Sequence, residues 1–193
     1  VLLKAGIRLN SRNTALAAAM NVPWLKVTRQ PRVAILSTGD ELVMPGEPLG
    51  PEQIISSNSI GLAAFVQANG GVPINLGIAK DDPDSLRDIL ATITGADMLV
   101  TIGGASVGDY DLVKTVLGEE GLDITFSRVA MRPGKPLIFG KINGIPMLGL
   151  PGNPVSAGVT AALFLRPAIN KMLGAADTTH VTETAVLGRD LAE

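Results

Sequence analysis

The sequence predicts an α/β fold, a mostly parallel, mixed sheet with helices on both faces. Short apolar runs alternate with helical patterns from residue 32 to residue 170, the rhythm of strand–helix units. Several of those runs are apolar at consecutive positions, as in RVAILSTG (32–39), which suits strands buried on both faces. The chain has 193 residues, 46% of them hydrophobic, enough for one core of ordinary α/β size.

Residues 1–30 read as a connector. TALAAAM (14–20) suits a short helix, and VPWLKVTRQP (22–31) reads as an extended strand ending at Pro31. Trp24, the sole tryptophan, is expected to pack rather than to stack on a ligand. RVAILSTG is then the first sheet strand, followed by a loop rich in Gly and Pro (45–51). SNSIGLAAFVQANG (57–70) predicts a helix with Ser57 or Asn58 as N-cap and Gly70 as its stop. VPINLGIA (72–79) is the next strand. Asp82-Pro83 opens a helix whose apolar residues Leu86, Ile89, Leu90 and Ile93 follow the i, i+3, i+4, i+7 pattern. ADMLVTIGG (96–104) is a third strand, and 111–118 a short helix. DITFSRVAM (123–131) and PLIFGKI (136–142) read as strands. IPMLGL (145–150) follows across an Asn143-Gly144 turn, which adds antiparallel content. Asn153-Pro154 opens a last long helix, with a stripe through Val155, Val159, Leu163 and Ile169 and a kink at Pro167. The main domain is expected over 31–174. Residues 175–193 are polar and Thr-rich, and ETAVL (183–187) suggests a strand of a further domain.

Composition narrows the function. The net charge of −2 weighs against a nucleic-acid or membrane surface, both of which favour a basic excess. The absence of cysteine excludes disulfides, thiolate metal sites and a thiol nucleophile. The only histidine, His180, sits in a polar tail, so histidine triads and zinc sites are not expected. No apolar run reaches the ~18 residues of a membrane span, and the first residues, VLLKAGIRLN, lack a signal peptide's charge-then-apolar order and cleavage site. A cytoplasmic location is the expectation. The opening reads as mid-domain sequence without an initiator Met, so a piece of a longer protein is expected.

Parallel α/β sheets bind ligands at the carboxyl ends of their strands. Five such ends carry unusual residues here: STGDEL (37–42), KDDP (80–83), GGASVGDYD (103–111), MRPGKP (131–136) and LPGNPVSA (150–157). Each has a plain reading. Asp82 suffices as a helix cap, Glu41 as a solvated loop acid, Gly103 and Gly104 as turn glycines, Arg132 and Lys135 as an exposed turn, and Asn153-Pro154 as a helix start. Their convergence on one edge suggests more. Bare glycines let backbone N–H groups approach an oxyanion, the helix starts after 110 and 153 add positive potential, and Arg132 and Lys135 add full charges. Glu41, Asp81, Asp109 and Asp111 would repel a phosphate directly but suit a hard cation such as Mg²⁺ beside it. The usual nucleotide signatures fail. Gly134-Lys135 is followed by Pro136, which excludes a P-loop, and no G-x-G-x-x-G follows the first strand. Spacing alone supports an α/β protein for a phosphorylated or oxyanionic small molecule.

The ordered series PRVAILSTGDELV, ISSNS, KDD, TIGGASVGDYD, MRPGKP and GLPGNPVSA closely resembles the MoeA/gephyrin E-domain family, the molybdopterin molybdotransferases, over roughly residues 1–175. The resemblance implies a three-layer α/β/α sandwich of the molybdopterin-binding type. It also implies a transferase of molybdenum cofactor biosynthesis that inserts molybdate into adenylylated molybdopterin and releases AMP, assisted by Mg²⁺. Glu41, Asp81 or Asp82, and Asp111 match its acidic active-site residues, with Glu41 and Asp111 as the expected metal ligands. Thr38 and Gly39 accompany Glu41 on the substrate side. Gly103, Gly104, Ser106 and Gly108 match the loop that cradles the substrate. Arg132 and Lys135 match a basic pair, Pro151, Gly152, Asn153 and Pro154 a bordering turn, and Ser57 and Asn58 a helix-start pair. The chain departs from the family pattern at Ile102, often Ser, at Ala105, often Val, and at Ser56, where an acid often stands.

Family members carry further regions before residue 1 and after 175, and they complete the site across a homodimer. The expected partners are therefore the small-molecule substrates, a second copy of the full-length protein and the molybdopterin adenylyltransferase, with no nucleic acid and no membrane. The piece alone need not be active. Two other readings stay open: the sister adenylyltransferase activity, and a non-catalytic molybdopterin-binding or scaffold module.

Overall fold

A computed structural model describes residues 2–103, 116, 118, 119, 121–178, 182–186, 188 and 189. Gly104, Ser106, Gly108, Asp109, Asp111, most of the helix expected over 111–118, and His180 lie outside the described residues.

The strands are β1 (Arg32–Thr38), β2 (Leu42–Val43), β3 (Ile54–Ile55), β4 (Val72–Ala79), β5 (Met98–Ile102), β6 (Asp123–Phe126), β7 (Ile138–Ile142) and β8 (Ile145–Leu150). The helices are α1 (Ser11–Ala19), α2 (Ser57–Ala68), α3 (Pro83–Ala91), α4 (Pro154–Thr160) and α5 (Arg166–Met172), with a π-helical stretch, Ala161–Leu165, joining the last two. Six strands form one sheet in the order β4-β1-β5-β8-β7-β6, and β2 and β3 form a small parallel ribbon apart from it. β4, β1, β5 and β8 are mutually parallel. β7 runs antiparallel to both neighbours, because a two-residue turn joins it to β8. Asn143 and Gly144 fill that turn with φ of 49° and 83°, the left-handed pair such a hairpin requires.

Strand periodicity divides the core into two layers. Val33, Ile35, Met98, Val100, Ile102, Leu148 and Leu150 face α2 and the C-terminal helices, where Leu62, Val66, Ala161, Leu165 and Ile169 meet them. Ala34, Leu36, Leu99 and Met147 point to the opposite face, toward Leu86 of α3 and Val116. The continuous apolar reading of β1 and β5 thus reflects cover on both sides.

Several local expectations change. VPWLKVTRQP is not a strand, since no ladder partner lies beside it, and Trp24 is 88% exposed rather than packed. β6 stops at Phe126, because the chain then folds into a tight loop in which the Val129 N–H donates to Lys135 O. Residues 183–186 of ETAVL form no strand, again without a partner. The N-cap of α2 is Ser56, not Ser57 or Asn58.

In the last helix the buried line is Ala157, Ala161, Leu165 and Ile169, while Val155 and Leu163 are exposed. Small alanines allow the close approach there that a stripe chosen by hydrophobicity overlooks. Pro167 has no N–H to donate, and the ladder widens ahead of it: the Arg166 N–H bonds to Ala161 O, five residues back. α3, its Asp82 cap and the Pro83 start match the expectation.

The connector is fastened at the amino edge of the sheet. Arg29 donates twice to the Asp97 carboxylate, at 2.7 and 2.8 Å, and the Arg32 N–H adds a bond of 2.7 Å. The Arg29 hydrogen bonds, aided by that backbone N–H and by the two arginine charges, hold the Asp97 carboxyl below its ordinary pKa, while burial opposes them.

Leu36→Ala, at a fully buried position, is expected to cost about 2–5 kcal/mol, read as a lower urea midpoint at unchanged slope. A depressed carboxylate pKa contributes stability above the unfolded value that disappears as pH falls through the folded one. Asp97→Asn should therefore lower stability at neutral pH and flatten its decline below about pH 4, measured by denaturant titration across pH.

Candidate functional site at the carboxyl edge

Parallel pairing delivers the ends of β1, β4, β5 and β8 to one edge, and antiparallel β7 begins there. Gly149 pairs with Ile138, so the loop carrying Arg132 and Lys135 borders the LPGNP turn. This loop precedes β7 rather than ending a parallel strand. Gly134, with φ of 110°, is buried where any side chain would collide with Met131 and Thr160.

The end of β1 turns tightly. The Gly39 N–H donates to Ala79 O at 3.2 Å, and the Leu42 N–H returns to Gly39 O at 3.2 Å. The Glu41 carboxylate folds back over Gly39: a Cβ there would lie 2.5 Å from Glu41 Oε2. That carboxylate is the end of a flexible side chain, so it is the φ of 144° that favours glycine at position 39. The Glu41 carboxylate has no hydrogen-bond or ion-pair partner among the described residues. Its backbone is pinned, however, with Ile54 N–H donating to Glu41 O at 2.8 Å across the β2–β3 ribbon. That ribbon, too short to show as a pattern, is what fixes the acid loop.

The β4 end is tied to the same loop. The Asp81 N–H donates to Asp40 Oδ1 at 3.1 Å, a role for Asp40 that sequence reasoning missed. Asp82 Oδ1 accepts from the Ser85 N–H at 2.8 Å, so its carboxylate is occupied in capping α3.

Gly103 ends β5 with φ of 88°, and its N–H donates to Leu150 O at 3.2 Å. A Cβ on Gly103 would stand 2.6 Å from Thr38 O, and one on Gly152 would stand 3.5 Å from Gly103 Cα. Three strand ends therefore meet through backbone alone. Asn58 Nδ2 donates to Gly152 O at 2.7 Å, so Asn58 holds the LPGNP turn against α2. Asn153 Oδ1 accepts from Val155 N–H and Ser156 N–H, the cap its sequence predicts. Pro151 is buried, while Ser57, Gly152, Asn153 and Pro154 are exposed.

Two departures from the family pattern acquire a physical setting. Ile102 points into the core, where apolar cover suits it. Ser56 is 4% exposed and meets the hydroxyls of Ser37 and Ser59 at 3.3 and 3.4 Å. A carboxylate in that uncharged pocket would meet a desolvation cost, and the serine avoids it.

Charge is divided across the edge. Asp40, Glu41 and Asp81 stand at the β1 and β4 ends, while Arg132 and Lys135 stand beside β8, exposed and without an ion pair to any described residue. The carboxylates are hard oxygen donors of the kind Mg²⁺ takes. Among the described residues, however, no three acidic or imidazole groups gather closely enough to enclose a metal. Two hollows among the described residues are one of about 620 Å³ beside the connector and one of about 430 Å³ near Arg87 and Asn143. Neither is lined by the candidate residues. No helix of the described residues is long and apolar enough to cross a membrane.

The family described as "Probable molybdopterin binding domain" matches residues 34–171. The chain belongs to that family. It is 47% identical to a molybdopterin molybdenumtransferase from Nostoc sp. over 91% of its own length and 41% of the relative's. It is 41% identical to molybdopterin molybdenumtransferase 2 of Mycobacterium tuberculosis over 91% of this chain and 45% of that protein. The crystal structure of a molybdopterin biosynthesis MoeA protein from Pyrococcus horikoshii superposes with a TM-score of 0.80 at 38% identity, covering 90% of this chain and 43% of that one. The chain thus spans less than half the length of these relatives. The expected α/β fold of the molybdopterin-binding type and the MoeA resemblance both hold.

Gly39→Ala and Gly103→Ala are each expected to lose about 1–3 kcal/mol through backbone strain and crowding. Gly61→Ala, in the middle of α2 with open space around it, should gain up to about 1 kcal/mol. Thermal unfolding of the three variants checks the contrast.

Proposed function

We propose that this domain forms the substrate-binding core of a molybdopterin molybdotransferase. The protein takes adenylylated molybdopterin and molybdate and releases AMP and the metal-loaded cofactor. The observation that carries the reading is the divided carboxyl edge, with acids on one side, two cations without an ion pair among the described residues on the other and backbone turns between them, in a chain similar to proteins named molybdopterin molybdenumtransferases.

In this reading Arg132 and Lys135 hold the anionic phosphate groups, and charge-assisted bonds from them favour the transition state of adenylyl release. The turns at Gly39, Gly103 and Gly152 let the ligand rest on backbone. Asn58 positions the Gly152 turn. Glu41 and Asp81 carry the acidic roles, and Asp82 is assigned to capping. Glu41, with Asp111 from the family pattern, would hold a divalent ion such as Mg²⁺. When bound, that ion would neutralise phosphate charge. Ser106, Gly104 and Gly108 belong to the cradle by resemblance. A homodimer, contact with the adenylyltransferase and a cytoplasmic setting belong to the same proposal.

Turnover of adenylylated molybdopterin by the intact protein, with molybdate and Mg²⁺, tests the assignment. Glu41→Gln and Asp81→Asn are expected to lower kcat by about 100-fold or more, whereas Asp82→Asn should retain most activity and lose about 1 kcal/mol of stability or less. Equal losses in all three would overturn the division of roles. Lys135→Ala should weaken AMP binding and reduce its salt dependence, seen by calorimetric titration.

A further inference from the structure

One contact in the loop that carries Arg132 and Lys135 is made by an oxidisable group. The Val129 N–H donates to Lys135 O at 3.0 Å and closes the loop, and the Met131 N–H donates to Val129 O at 2.9 Å inside it. Val129 packs against the core. The far side of the loop rests on Gly134, which is buried with φ of 110°. Two groups pack over Gly134 in place of a side chain: Met131 Cε, and Thr160 Cγ2 at 2.7 Å from where a Cβ would stand. Thr160 is fully buried, and its hydroxyl donates to Ser156 O at 2.7 Å, so that wall is fixed to α4. The Met131 thioether is the wall that can move.

The chain has six methionines and no cysteine. Without a thiol, thioethers are the first groups in it that a peroxide attacks. Met98 and Met147 are 1% and 0% exposed and lie in the core, whereas Met20 is 41% exposed at the end of α1. Met44 and Met172 are half-buried, away from this loop. Met131 is half-buried too, so it is reachable from solvent while its methyl group is in a packed contact. It also adjoins Arg132 in the chain.

We propose that Met131 is an oxidation site through which a peroxide loosens the anion-binding loop. The sulfur attacks one peroxide oxygen, the O–O bond breaks and an S–O bond forms. The sulfur loses two electrons and the peroxide gains them. The second peroxide oxygen leaves as water, taking up the proton of the first. The product is a sulfoxide, polar and larger by one oxygen. Its polarity does not suit the closed apolar contact over Gly134. The methyl group turns away, the wall opposite Thr160 is lost, and the backbone that presents Arg132 and Lys135 gains freedom. Binding an anion then has to meet an ordering cost that the packed loop has already met. The oxidation and the loosening stand on the packing. Only the fall in anion affinity rests on the role proposed above for Arg132 and Lys135.

The intact protein treated with hydrogen peroxide tests this, with peptide mass mapping, thermal unfolding and calorimetric titration with AMP plus Mg²⁺ before and after. Met131 is expected to gain one oxygen well ahead of Met98 and Met147. Tm should fall, and AMP binding should weaken about tenfold. A methionine sulfoxide reductase with dithiothreitol should restore both. Met131→Leu, compared with its own untreated form, should show neither change, while Met20→Leu should respond as the parent does. A Met131 left unmodified once Met20 is oxidised would overturn the inference. So would an oxidised Met131 that leaves either Tm or a measurable AMP affinity in place, or equal losses in Met131→Leu. A parent that binds no AMP before treatment would remove the ligand reading instead. The fall in Tm, present in the parent and absent in Met131→Leu, then decides whether oxidation loosens the loop.

Discussion

Backbone-to-backbone contact among the ends of β1, β5 and β8 is the constraint on which the rest of the site depends. Thr38, Gly103 and Gly152 stack without intervening side chains, and the Gly103 N–H closes the arrangement on Leu150 O. Only a parallel sheet brings three strand ends together in this way, and only a sheet covered on both faces leaves that edge as the place for a ligand. The two apolar layers therefore serve the site as well as stability. Each anchors the same strands from an opposite side and fixes where they stop.

The acid and base residues are held by different means. Glu41 owes its place to a turn with glycine at its corner and to the β2–β3 ribbon, which clamps the loop through Ile54. Asp81 is fixed through its own N–H on Asp40. Arg132 and Lys135 ride on a loop closed by the Val129–Lys135 backbone bond and packed on Thr160 through Gly134. Rigid backbone under exposed charge suits recognition of an anion, because the ordering cost is met by the fold before the ligand arrives.

The difference between Asp81 and Asp82 illustrates how tertiary detail separates two residues that look alike in sequence. Both aspartates precede Pro83, and the sequence offers either as an active-site acid. Asp82 is bound to the first turn of α3, while Asp81 is tied by its own N–H to Asp40 of the neighbouring strand end. Asn58, which the sequence places only near the site, braces the LPGNP turn through Gly152 O.

The sequence by itself determined the fold class, the strands β1, β4, β5, β6, β7 and β8 of the main sheet, the α3 and α4 starts and the family, because these rest on periodicity, caps, turn pairs and ordered motifs that are local in the chain. It misplaced elements where a distant partner decides. VPWLKVTRQP and residues 183–186 have the composition of strands but no neighbour to pair with among the described residues, and β2 and β3 exist only because they pair with each other. The apolar stripe of the last helix was misread because burial there selects small residues, Ala157 and Ala161, for close approach. Only the tertiary structure decided which carboxylates are occupied, and which glycines are bare because another strand passes within van der Waals reach. Those are properties of residues far apart in the chain, and no local pattern records them.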